Sequence, residues 1–360
     1  RAVNKVVVKP PYAVPLEAYI LHQSLFVVDL HADSLLWNRN LLVRSRSGHV
    51  DLPRLISGNV GLQVFGVVTR SPLGQNFTRT NGRGDRVTAL SITGGWPLRS
   101  WGNLLQRALY QAKKLERFAA QSGGKLMLVR TAADLDDLLA RRARNEPVVG
   151  GFTGLEGAHA LRGRLENVDR LYKAGFRMIG LTHFFDNLAA GSAHGRRKGG
   201  LTAFGRDLVR KVQSAHMLLD LAHASSQAID EVLEIATAPV VVSHTGVCGV
   251  HDHPRNLSDA HIRRIAAAGG VIGIALFEGA LPRATLAMAA RSMRYTADLV
   301  GVDAVAFGSD FDGGVTAPVD ASGLALLSEA MLAAGFDREE IGKIMGGNAL
   351  RVIRAALAPA

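Results

Sequence analysis

Apolar positions in this chain fall into short, β-branched runs that alternate with stretches of helical spacing. Val27-Val28-Asp29-Leu30 is the first run, a buried strand that stops at His31-Ala32-Asp33. Further runs predict strands over Val60–Thr69, Val148–Thr153, Arg177–Thr182, Met217–Ala222, Pro239–Ser243, Gly270–Leu276 and Ala304–Gly308. Helical spacing predicts helices over Pro15–Gln23, Leu165–Ala174, Thr202–Ser214, Gln227–Ile235 and Thr285–Leu299, another running from a Ser258 cap to Ala267, and two or three more at the end.

Residues 71–147 interrupt this alternation. Glycines at 74, 82, 84, 94 and 95 predict an irregular first part. Leu104, Leu105, Ala108, Leu109, Ala112 and Leu115 then place a helix over Trp101–Gln121. Lys125–Arg130 reads as an extra short strand, and Thr131 with Asp134 as a capping box for a helix through Ala143. The order of elements is that of a (β/α)8 TIM-type barrel with a long insertion after strand 2, occupying 25–357 behind an N-terminal arm and helix at 1–24. A doubly wound open sheet is the alternative. It would collect its site at one switch point, whereas ligand-type residues here follow six different strands.

Those residues are His31, Asp33, Glu156, His183, His223, His244 and Asp310. In an extended chain His31 and Asp33 point to the same side, and imidazole and carboxylate both suit a borderline cation such as Zn2+. Seven such groups exceed the needs of one catalytic zinc. They suit two metals roughly 3.5–4 Å apart. Glu156 is the natural bridge, with His31 and Asp33 on one metal and His223 and His244 on the other. Asp310 is left for proton transfer and His183 for an oxyanion.

Composition changes this picture little. The 360 residues are 48% hydrophobic and 20% charged, ordinary for a globular protein. The single cysteine, Cys248, excludes an internal disulfide and a Cys-rich zinc site. Its thiol is expected to be buried or on a loop, without a fixed base to make it a nucleophile. Net charge is +11, with basic clusters at Arg141–Arg144 and Arg196–Lys198. Aromatics do not interleave with these clusters, so no nucleic-acid partner is expected. The chain begins at Arg1 without a Met, and no apolar run is long enough to span a bilayer. An exported protein, or one with a membrane anchor upstream of residue 1, is therefore expected slightly ahead of a cytoplasmic one. A homodimer is left open.

Taken in order, the motifs Asp29–Asp33, Leu155–His159, Gly180–His183, Leu219–Ser225, Ser243-His244, Pro254–Asn256, Gly308–Gly313 and Gly347–Arg351 resemble the membrane (renal) dipeptidases of the amidohydrolase superfamily, peptidase family M19. The resemblance runs from about residue 25 to 355. It implies a zinc dipeptidase with two Zn2+ per chain and a metal-bridging hydroxide, tolerant of a D-residue at the substrate's C-terminal position. Residue by residue, it implies His31 and Asp33 on the first zinc, Glu156 bridging, and His223 and His244 on the second. His183 polarises the scissile carbonyl, Asp310 shuttles the proton, and Arg255 grips the substrate carboxylate. Three stretches depart from the family pattern: the long turn Thr245–His253, the bulky Phe184–Asn187, and the Gly-rich segment 71–103, expected to overhang the mouth. His251 and His253 are expected on a surface loop and His159 behind the ligands. Alternatives are hydrolysis of N-acyl amino acids or lactams, or a non-catalytic maturation or binding protein retaining the pocket. The full ligand set speaks against the latter.

Overall fold

The computed structural model describes residues 3–358. Eight strands form the barrel: β1 (Val27–Ala32), β2 (Val60–Val68), β3 (Val149–Glu156), β4 (Phe176–Gly180), β5 (Leu218–Asp220), β6 (Val241–Thr245), β7 (Val271–Ile274) and β8 (Val305–Phe307). Every neighbouring pair from β1 to β8 is parallel and follows chain order. The ring closes between β8 and β1 by single links rather than a ladder. Ala32 bridges Phe311, Asp310 N donates to His31 O at 3.1 Å, and Asp33 N donates to Phe311 O at 2.8 Å. The first and eighth strand ends, which carry His31 and Asp310, are thereby joined.

Period-two alternation divides the strand residues. Val28, Leu30, Leu62, Val64, Phe152 and Met178 pack with one another inside the barrel. Val27, Phe65, Val67, Leu155 and Ile179 pack against the surrounding helices. The C-terminal helix Asn348–Ala356 adds Ala349, Val352 and Ile353 to the inner cluster and seals the end where the strands begin. A Cβ at Gly346 would lie 1.8 Å from Phe26 O, so the preceding turn needs glycine to reach the start of β1. With that end closed, the site has only the carboxyl ends of the strands available.

The structure corrects several expected boundaries. β6 starts two residues later than expected, at Val241, and runs through Thr245, so His244 lies within the strand. The first part of the insertion is not all loop: it holds helices Arg86–Thr93 and Leu98–Trp101. Asp85 caps the former by accepting from Val87 N at 3.0 Å, a local bond that offsets its β-branched, Thr- and Ser-rich sequence. The helix expected from Trp101 begins at Leu104, because Gly102 breaks it and Asn103 caps the new start. The fully buried Arg107 then ties the insertion to the barrel, donating to Thr69 O at 2.8 Å, to Ser100 O at 2.8 Å and to Asp85. The expected extra strand is Leu126–Leu128, which pairs with the first half of β3. In the arm, Lys5–Val6 pairs with Thr316–Ala317. Arg1 and Ala2 lie outside the described residues.

Candidate metal centre

Glu156, at the end of β3, is the point on which the site converges. Its Oε1 lies 3.0 Å from His223 Nε2, 3.5 Å from His244 Nε2, 3.6 Å from His183 Nε2 and 3.8 Å from His31 Nε2. Asp33 Oδ1 is 3.4 Å from His31 Nε2. Ligand atoms of His31, Asp33 and Asp310 form a third close group beside His31–Glu156–His244 and Glu156–His183–His223. All seven ligand-type residues read from the sequence are therefore brought together, and all are buried. The stacked rings of His31 and His244, 3.9 Å apart, join the two sides.

The hydrogen bonds behind these rings fix which nitrogen is bare. His244 Nδ1 lies 2.8 Å from Ser243 Oγ, and that hydroxyl donates to Asp220 Oδ2 at 2.6 Å. With its proton committed, Ser243 accepts, so His244 carries Nδ1–H and a lone pair at Nε2. His194 Nδ1 lies 2.8 Å from Phe77 O, which can only accept, so the neutral ring of His194 has a bare Nε2. That atom sits 3.1 Å from His223 Nδ1, which must then donate, leaving His223 Nε2 bare as well. His223 Nε2 and His244 Nε2 face each other at 3.1 Å. Two lone pairs and a carboxylate oxygen at this spacing repel one another unless a cation lies between them. The donor set, two imidazole lone pairs beside a carboxylate, suits a borderline metal and fits zinc.

On the other side, both ring nitrogens of His31, Asp33 Oδ1 and Glu156 Oε2 are buried without a hydrogen-bond partner. Buried polar atoms are rarely left in this way. Gly66 on β2 makes room for them: a Cβ there would lie 2.4 Å from Asp33 Oδ1 and 2.8 Å from His31 Nε2. The loop is held from beneath by Asp29. Its carboxylate accepts from Ser309 N at 2.8 Å, Ser309 Oγ at 2.7 Å and His31 N at 3.1 Å. Asp310 and Asp312 have φ of 58° and 63°, and His223 of 63°, a region costly for residues other than glycine and concentrated at functional sites.

Electrostatics separates the two sides. Burial pushes His223 and His244 well below the usual imidazole range and His183 down to about 4. Burial also acts on His31, but Asp33, Glu156 and Asp310 outweigh it and push that ring up to about 10. Burial, then the Asp33 charge, raises Glu156, and burial raises Asp310 to about 7. His183 Nδ1 meets only Arg70 O, at 3.4 Å, so its tautomer is more weakly fixed than those of His223 and His244.

A cavity of about 840 Å3 opens onto Asp33, Glu156, His183, His223 and Asp310 and is lined also by Arg255. The Arg255 guanidinium is buried, donates to His244 O, has no partner at Nε, and pairs with no carboxylate among the described residues. Such a charge is costly unless a ligand anion meets it. Phe77, Val87 and Leu90 of the insertion line the cavity with Phe184 and Phe277, so the insertion does overhang the mouth. His159 bonds Thr69 Oγ1 at 3.1 Å, away from the ligand group. His253 is half-buried against Phe77, its ring centroid 5.0 Å away, rather than on an open surface loop. Cys248 is partly exposed, and burial raises its thiol, which keeps it protonated. Sequence reasoning missed His194, Phe77, Asp220 and Ser309 as supports. The signal for Asp220 and Ser309 was available, since each lies within a motif at a strand end. His194 sits in an irregular loop and carried none.

A closed parallel barrel with imidazoles and carboxylates gathered at its carboxyl rim defines a metal-dependent hydrolase. The chain belongs to the membrane dipeptidase family, peptidase family M19, whose model matches residues 16–359. It is accordingly a metal-dependent peptidase. An uncharacterized protein in the pqqA 5′ region of Klebsiella pneumoniae is 33% identical over 257 residues, covering 67% of this chain and 92% of that protein. Dipeptidase tcpJ of Claviceps purpurea is 29% identical over 321 residues, covering 86% of this chain and 69% of that protein. Among solved structures, a metallopeptidase from Rhodobacter sphaeroides liganded with a phosphinate mimic of the dipeptide L-Ala-D-Ala superposes with a TM-score of 0.75 at 24% identity, covering 92% of this chain and 99% of that one. No helix among the described residues is long and apolar enough to cross a membrane.

Proposed function

We propose that this chain hydrolyses dipeptides at a pair of zinc ions bridged by Glu156, and that it accepts a D-residue at the substrate's C-terminal position. The observation that carries this is the set of distances around Glu156 Oε1, four Nε2 atoms within 3.0–3.8 Å. His31 and Asp33 would hold one ion and His223 and His244 the other, with Glu156 shared between them. Metal bound there supplies Lewis-acid polarisation of a carbonyl oxygen and water acidified toward neutrality.

The chain's own groups do the rest. Arg255 takes the substrate's terminal carboxylate in a bidentate grip, which offsets its buried charge and sets one end of the dipeptide. His183 lines the same cavity beside Glu156 and stabilises the developing oxyanion when its Nε2 carries the proton. Asp310, whose proton affinity burial raises to about 7, takes a proton from the water that attacks the carbonyl carbon and passes it to the amine nitrogen as the C–N bond breaks. The aromatic wall of Phe77, Phe184 and Phe277 keeps bulk water from the scissile bond. The D-residue rests on the similar barrel from Rhodobacter sphaeroides, which holds a mimic of L-Ala-D-Ala.

A zinc count combined with a substrate panel tests this. Two zinc ions per chain, turnover of L-Ala-L-Ala and L-Ala-D-Ala, and loss of turnover on C-terminal amidation are expected. Turnover of N-acyl amino acids or lactams with none of dipeptides would reassign the substrate. A folded chain that holds no metal would end the hydrolytic reading.

A further inference from the structure

We propose that His194 is a positioning residue for the metal centre, through which the insertion loop fixes the tautomer and aim of His223. This rests on the metallopeptidase reading above and adds a residue to it. The relay has three members. Phe77 O accepts from His194 Nδ1 at 2.8 Å, and His194 Nε2 accepts from His223 Nδ1 at 3.1 Å. His223 Nε2 then reaches Glu156 Oε1 at 3.0 Å. Each bond leaves only one way to place the next proton, because it begins at a carbonyl that cannot donate. Reversing the His223 tautomer would put a hydrogen where the metal lone pair is needed.

His194 is itself held from several sides. Its side chain is fully buried. Thr80 N donates to His194 O at 2.6 Å, His194 N donates to Ser192 Oγ at 3.1 Å, and Ala193 N donates to His223 O at 2.8 Å. Ser192 Oγ in turn donates to the His183 carbonyl. The short 192–194 segment thus ties the backbones of two rim histidines to residues 77–80 of the insertion. Phe77 faces the substrate cavity with its ring and the relay with its carbonyl. The insertion is therefore part of the metal centre's support as well as a cover over it.

The test compares His194→Leu, which removes both bonds at similar bulk, with His194→Gln, which keeps an acceptor toward His223. Zinc affinity is read by chelator competition alongside kcat/KM. His194→Leu should weaken one zinc position by about 10–100-fold, the range for partners of metal-bound imidazoles, and His194→Gln should restore most of that loss. Equal losses in both variants, or wild-type affinity in a folded His194→Leu protein, would overturn the proposal. Imidazole 15N chemical shifts of the metal-free wild-type protein give a reading that needs no variant and no activity. His223 protonated at Nδ1 supports the relay, and His223 protonated at Nε2 refutes it. That measurement holds even if the chain proves to hydrolyse something other than dipeptides.

Discussion

The two sides of the metal centre are built on opposite electrostatic plans. Around His223 and His244 the rings are neutral, and their outer nitrogens are committed to Ser243 and His194, so bare lone pairs point inward before any metal arrives. Around His31 the ring stands among Asp33, Glu156 and Asp310, which hold a proton on it up to about 10. One side is organised by tautomer, the other by charge. The first admits a cation without displacing protons from its imidazoles, and the second has to exchange a proton for it. Glu156 is shared by both.

The largest expected effect follows from removing what the sides share. Glu156→Gln should lower turnover by well over the roughly 100-fold typical of outer partners and reduce occupancy at both positions, with the fold retained. Zinc content and a melting curve check this, and normal occupancy at either position would break the bridge assignment. Next come changes confined to one side. Ser243→Ala should weaken the His223/His244 position by about 10–100-fold and Asp29→Asn the His31 position by a similar factor. Chelator competition resolves the two, and if either variant weakened both positions equally the sides would not be separable.

Arg255→Ala removes a charged hydrogen bond to substrate. KM should rise by about 10–100-fold, the equivalent of roughly 1.4–2.7 kcal/mol, with both metals retained. Steady-state kinetics decide it, and an unchanged KM would remove Arg255 from the site. The pH dependence sharpens the comparison more gently. Because the folded, metal-free chain keeps the His31 proton up to about 10, apparent affinity at that side should rise about tenfold per pH unit from 7 to 9 and flatten above the pKa. At the His223/His244 side the rings are already neutral in this window, so a smaller slope is expected there. Calorimetry in buffers of different ionisation enthalpy counts the released protons.

The barrel and its ligands were legible because the same physics writes both. A strand buried on two faces must be apolar, so a histidine or aspartate ending such a run stands out, as at His31, His223 and Asp310. The insertion was less legible. Helix Arg86–Thr93 lies between glycines and contains two β-branched threonines, and it is stabilised by the Asp85 cap, by the buried Arg107 and by Val87 and Leu90 packing beside Trp96, contacts that lie outside its own sequence pattern. Nothing local announces a bond made to residue 107. His194 was missed for a related reason: its role depends on contacts 29 and 117 residues away in the chain, and no periodicity marks a loop residue. Arg255 was found only through family resemblance, since a loop arginine is ordinarily solvated, and its burial emerges only from the fold.

The most direct measurement is a crystal structure of the zinc-loaded protein with anomalous scattering at the zinc edge. Two peaks about 3.5–4 Å apart, each within bonding distance of a Glu156 oxygen, are expected. A single peak, or two peaks with Glu156 bound to neither, would contradict the account.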